Sequence, residues 1–228
     1  MRWRLAAVTL VACLVIAVQA QGQSLDNRLL AMPEFGIAQP TGDLGEDFNQ
    51  GGLNAGTGLN GGLGLMRLFG GEFGLGLRWR YIQLPIQDIG AGDVNVSGHI
   101  FDVSANLFLQ GTGGASPFFH LGMLIGKPKI SGEADRIPFF PVSGRVSGTI
   151  DIGWRTGFNI GLGFCDVRSS WLGMFIAGEY NHLSTDGAKA EIAIDGDPPG
   201  VPDSFDVNIN SDWMALRVGV MIFLDSGL

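Results

Sequence analysis

The chain has 228 residues, of which 46% are hydrophobic and 16% charged, with 37 glycines, two cysteines and a formal net charge of −8. That acidic balance argues against nucleic-acid binding, which needs a basic footprint. Only Cys165 lies beyond the first 20 residues, so an internal disulfide framework is excluded for the remainder.

The chain begins with Arg2 and Arg4, then an apolar run from Leu5 to Val18 and the small-residue site Val18-Gln19-Ala20. This order reads as a secretory signal peptide over 1–20, cleaved after Ala20, followed by a single β domain over 21–228. Cleavage would leave 12 basic against 22 acidic side chains. No other segment offers the roughly 18 consecutive apolar residues of a spanning helix.

Eight stretches alternate with period two, which is the signature of strands. In chain order they cover 28–39, 55–68, 72–84, 98–110, 117–130, 149–164, 170–184 and 212–224. The first is the weakest, because Pro33 interrupts it. Most match the roughly 9–11 tilted residues that cross a bilayer as a strand. The connections alternate in length. Those at 69–71, 111–116 and 165–169 are short, and those at 40–54, 85–97, 131–148 and 185–211 are long. Short periplasmic turns alternating with long extracellular loops are the pattern of outer-membrane barrels.

The two faces of each strand differ. Phe73, Leu75, Leu77, Trp79 and Tyr81 oppose Gly74, Gly76, Arg78 and Arg80. Phe101, Val103, Ala105 and Leu107 oppose Asp102, Ser104, Asn106 and Phe108, and in 149–164 Trp154, Phe158, Ile160 and Leu162 oppose Asp151, Arg155 and Asn159. In the last strand Met214, Leu216, Val218, Val220, Ile222 and Leu224 alternate with Arg217 and Gly219. A soluble eight-stranded barrel fills its interior with apolar side chains or an apolar ligand site. Here the apolar faces are expected to meet lipid, and Arg78, Arg80, Asp102, Asp151, Arg155, Glu179 and Arg217 to form a paired charge network inside a narrow, plugged lumen. His120 falls on that same inner face. Trp79, Tyr81, Trp171 and Tyr180 fall near strand ends, where aromatic girdles belong.

With these features the sequence resembles the eight-stranded outer-membrane β-barrel proteins of Gram-negative bacteria. Part of the likeness is Arg217-x-Gly219-x-x-Ile222-x-Leu224, similar to the family's C-terminal barrel-insertion signal, although four residues follow it here. The resemblance implies an all-β, eight-stranded antiparallel up-and-down transmembrane barrel in the cell outer membrane. It also implies recognition by the barrel-assembly machinery and contact with outer-membrane lipid and lipopolysaccharide. A monomer with no cofactor is expected, with a structural or interaction role through acidic extracellular loops. A narrow pore for small solutes is an alternative.

A second alternative is enzymatic. His182-x-Ser184 is similar to the His-x-Ser motif of outer-membrane lipid A deacylases, which implies a Ser184 nucleophile, a His182 base and an orienting acid. The family's Asn after the Ser is Thr185 here. Asp206 and Asp212 are the candidate acids. The connection 185–211 carries Asp186, Glu191, Asp195, Asp197, Asp203 and Asp206 against Lys189 alone. It lacks the spacing of a calcium loop, and no histidines stand at metal-ligand spacing, so no metal is expected. Alternation in 190–195 and 204–210 predicts a hairpin above the membrane, turning at Pro198-Pro199-Gly200.

Overall fold

A computed structural model describes residues 28–47, 52–87, 92–109, 115–134, 146–184, 188–194, 203–207 and 210–224. The signal-peptide segment 1–20 and the turn Pro198-Pro199-Gly200 lie outside these residues. Eleven strands are formed: β1 (Leu29–Thr41), β2 (Gly58–Phe69), β3 (Phe73–Pro85), β4 (Gly92–Phe108), β5 (Ala115–Ala134), β6 (Val146–Asp151), β7 (Arg155–Val167), β8 (Leu172–Leu183), β9 (Ala188–Ile194), β10 (Ser204–Val207) and β11 (Ser211–Leu224). Eight of them close a ring in the order β1-β2-β3-β4-β5-β7-β8-β11, with β11 returning to β1, and every pairing is antiparallel. Closure removes every open edge within the ring.

The stretch predicted as one strand over 149–164 is two strands. Gly153 takes φ +73°, a left-handed conformation that glycine accepts without steric cost, and Asp151 Oδ1 accepts its N–H at 2.8 Å. The chain bends there, and β5 changes partner at the same level. Its lower part, Ala115–Gly126, pairs with β7, whereas Lys129–Ala134 pairs with β6. Beyond the ring β6 pairs with β9, and β9 with β10, the two arms of the predicted hairpin.

The outer surface of the ring is apolar. Phe35, Leu63, Leu77, Phe101, Val103, Leu121, Met123, Ile160, Met174 and Leu216 are all exposed, and Met123 reaches 72%. A soluble protein does not leave so continuous an apolar band in water, and lipid is the solvent that accepts it. Among the described residues no helix is long and apolar enough to cross a membrane.

The interior has three levels. Toward the short turns Leu30, Met66, Leu68, Phe108, Phe118, Phe175, Met221 and Phe223 pack together. Toward the long connections a second cluster holds Ile82, Leu84, Val96, Ile100, Leu124, Leu183 and Trp213. The connection after β1 folds back into that mouth. It contains a short 3-10 turn, Gly42–Leu44, and buries Leu44, Leu53 and Ala55 in the same cluster. Asp43 Oδ2 accepts the Asn210 N–H at 3.0 Å and holds the turn to the segment before β11. Between the two apolar clusters lies a belt of buried polar and charged side chains. The interior is therefore not polar throughout, as strand parity suggested. Aromatic and aliphatic residues occupy the inner face at both ends.

Candidate functional site

The belt is built by strand alternation. On β3 the outward Leu77, Trp79 and Tyr81 send Arg78 and Arg80 inward. Register then places Arg78 directly opposite Asp102 on β4, while on β8 Glu179 sits opposite Ala215 and Ala177 opposite Arg217. Glu179 is the hub. Its Oε1 accepts Arg80 Nη1 at 2.6 Å, and its Oε2 accepts Arg78 Nη2 at 2.9 Å and Arg217 Nη2 at 2.6 Å. Asp102 Oδ2 accepts Arg78 Nε at 2.6 Å and Asn159 Nδ2 at 3.2 Å, and lies 3.3 Å from Arg80 Nη2. Glu34, from β1, accepts a hydrogen bond from Arg217 Nη1 and stands 3.6 Å from Arg78 Nη1.

Three guanidiniums thus face three carboxylates, and the belt is neutral. Burial is close to complete, with Arg80 at 1%, Asp102 and Glu179 at 2% and Arg217 at 3% exposure. Charges this deep persist only when paired and hydrogen-bonded. Neutral side chains extend the mesh. Asn181 Oδ1 accepts Arg80 Nη2 at 3.0 Å, and Arg217 lies 5.9 Å from the Phe175 ring centre. His120 Nδ1 stands 3.0 Å from Asn106 Oδ1, and its Nε2 stands 3.1 Å from Arg78 Nη2. Nε2 also stands 3.0 Å from Asn159 Oδ1, so the ring ties β5 to Asn106 on β4, Arg78 on β3 and Asn159 on β7.

Five of the seven sequence-predicted network residues meet here: Arg78, Arg80, Asp102, Glu179 and Arg217. Asp151 and Arg155 do not, and both are corrected by the bend at Gly153. Asp151 lies on β6 beyond the ring and pairs with Lys127 at 2.7 Å. Partial burial pushes its carboxyl up, but Lys127 and the Gly153 N–H outweigh this and hold it below the ordinary carboxylate value. Arg155 is half-buried at the start of β7 and donates its Nε to the Ile152 carbonyl at 3.1 Å. Glu34 was missed because Pro33 obscured the first strand, although Glu34 shares inward parity with Leu30 and Ala38. Of the insertion-signal residues, Arg217 and Gly219 point inward, Leu224 is exposed, and Ile222 is half-buried.

A second constellation lies on the outer face near the long connections. His182 and Asp212 are opposite one another on β8 and β11, with Nδ1 and Oδ1 2.6 Å apart. The His182 ring rests 5.2 Å from Phe158. Ser184 follows on the same face, half-buried, and its N–H donates to Thr156 O at 3.1 Å. Asp212 rather than Asp206 is therefore the carboxylate beside His182. Among the described residues no group of His, Cys, Asp and Glu could hold a metal ion.

No protein-family model matches the sequence, and no curated protein is similar to it. Solved structures are similar in fold. The outer membrane protein OprG from Pseudomonas aeruginosa superposes with a TM-score of 0.57 at 14% identity, over 91% of this chain and 100% of that one. Neisserial surface protein A (NspA) gives 0.52 at 9% identity, over 86% of this chain and 97% of that one. Ring closure, inside-out polarity and these likenesses define the class: a small eight-stranded β-barrel of the outer-membrane type. The chain has the fold of an integral outer-membrane barrel protein.

Proposed function

We propose that this chain is a closed outer-membrane barrel, a scaffold that holds its long connections at the cell surface for an interaction role. The observation that supports it is the charge belt sealed between two apolar clusters. An eight-stranded ring leaves an interior just wide enough for side chains, and here side chains occupy it at all three levels. In this reading the long connections and the β6–β9–β10 extension face outward, and the leader over 1–20 directs export. The segment Arg217–Leu224 is read by the barrel-assembly machinery, and the barrel is a monomer in contact with lipid and lipopolysaccharide. Planar-bilayer recording of the purified protein is the test. No steady conductance is expected, and a reproducible open level would replace the scaffold with the narrow pore.

One observation favours a second reading, a hydrolase acting on outer-leaflet lipid. The His182–Asp212 pair has the geometry of a base and its orienting acid, and Ser184 lies two residues along the same face. Against it, Ser184 Oγ makes no hydrogen bond to His182 among the described residues, although such bonds are often loose in unliganded sites. Mass spectrometry of lipid A from cells with and without the gene decides. A deacylated species that disappears in H182A cells would establish the hydrolase, and identical lipid A in both strains would remove it.

A further inference from the structure

Between the charge belt and the apolar cluster toward the short turns lies a cavity of about 30 Å³. Met66, Phe118 and Phe175 form its apolar side, and Glu34, Ser104 and Asn106 face it from the belt. The belt leaves two polar atoms over on this side. Asn106 Oδ1 is paired with His120 Nδ1, but Asn106 Nδ2 has no hydrogen-bond partner among the described residues. Glu34 Oε2 accepts from Arg217, but Glu34 Oε1 is 3.6 Å from Arg78 Nη1, beyond hydrogen-bond reach. The Glu34 side chain is 1% exposed and Asn106 is 3% exposed, so bulk solvent satisfies neither. A buried donor or acceptor left unmade costs far more than an average hydrogen bond gains. Here one donor and one acceptor are left over beside the same cavity.

We propose that this cavity binds an ordered water that accepts a hydrogen bond from Asn106 Nδ2 and donates one to Glu34 Oε1. Size and charge select the ligand. A buried water needs roughly 10–15 Å³ and two to four polar partners. The cavity has that room, and the Ser104 hydroxyl is a third partner on the same wall, turned toward Gly76. An anion would meet the Glu34 carboxylate, and a cation would meet the Arg78 and Arg217 guanidiniums that line the same space. Only a neutral molecule able both to donate and to accept suits all of them. The water ties β1 to β4, which are two strands apart in the ring. It also holds the Glu34 carboxylate in the orientation in which Oε2 receives Arg217. The site stands whichever way the barrel is oriented in the membrane.

The test combines a crystal structure of the folded protein, at a resolution that shows solvent, with variants at Gly64. The wild-type map should contain a water within about 3.2 Å of both Glu34 Oε1 and Asn106 Nδ2. Gly64 lines the cavity from β2, and a Cβ there would stand 3.5 Å from Met32 Cβ and 3.8 Å from Arg78 Cγ, in ordinary contact. A methyl group therefore fits, and it takes the water's space without taking its hydrogen bonds. G64A should lose the folded band on unboiled gels roughly 2–8 °C below wild type. G64S, whose hydroxyl can replace the water, should lie closer to wild type than G64A. A purely steric cost would reverse that order and overturn the inference. So would a G64A midpoint at or above wild type, the result of filling a dry cavity, and so would a wild-type map without the water. If G64A gives no folded band, the wild-type map alone decides.

Discussion

At the scale of single residues, Glu179 carries the heaviest duty. It accepts hydrogen bonds from Arg78, Arg80 and Arg217, and removing its charge strands guanidiniums that water cannot reach. Breaking a buried pair in this way costs roughly 3–5 kcal/mol. Glu179→Gln is therefore expected to lower markedly the temperature at which the folded band is lost on unboiled gels. Arg155→Leu should change it little, because Arg155 is half-buried outside the belt and loses one hydrogen bond to a carbonyl. A similar loss in both variants would contradict the belt as the energetic centre. The contrast also marks where sequence reasoning stops. Parity assigned Arg78, Arg80, Asp102, Glu179 and Arg217 to one face, because each lies in an unbroken strand. Parity failed for Asp151 and Arg155 because alternation runs on through Ile152, Gly153 and Trp154, and the backbone does not. A glycine with positive φ looks the same in the sequence as one in a strand.

At the scale of elements, β11 explains why a glycine stands in the middle of the C-terminal pattern. A Cβ at Gly219 would lie 2.4 Å from the Phe175 ring and 2.7 Å from the Pro33 carbonyl. The ring of β8 covers the bare backbone of β11, a cross-strand rescue that a side chain would displace. Gly178 on β8 has open space around its would-be Cβ. Gly219→Val is thus expected to destabilise the barrel by about 1–3 kcal/mol through overpacking, and Gly178→Ala to be neutral. Urea titration in detergent, followed by tryptophan fluorescence, measures both, and equal midpoints would show that the Phe175 contact is dispensable. Most ring strands were legible from period two within a few residues. The two apolar interior clusters were not. Ile82, Leu84, Phe108 and Phe118 occupy the same inward parity as the charged residues, and parity gives the face of a side chain but not which levels of the lumen are apolar.

At the scale of the whole molecule, the barrel is inside out in polarity, and its two ends are unequal. One end has tight turns such as Gly70-Gly71-Glu72, and the other has the infolded segments 42–47 and 52–57 and the β6–β9–β10 extension. Outer-membrane barrels keep short turns on the periplasmic side and longer connections on the outer side. This asymmetry predicts the orientation. Asp47 is exposed in the long connection after β1, and Glu72 is exposed in the short turn after β2. The native Cys165 is 2% exposed and should contribute little background labelling. D47C should react with a membrane-impermeant maleimide on intact cells, and E72C should react only after the outer membrane is permeabilised. Reaction of E72C on intact cells, with D47C protected, would turn the molecule over and move the His182–Asp212 pair and the acidic connections to the periplasmic side together.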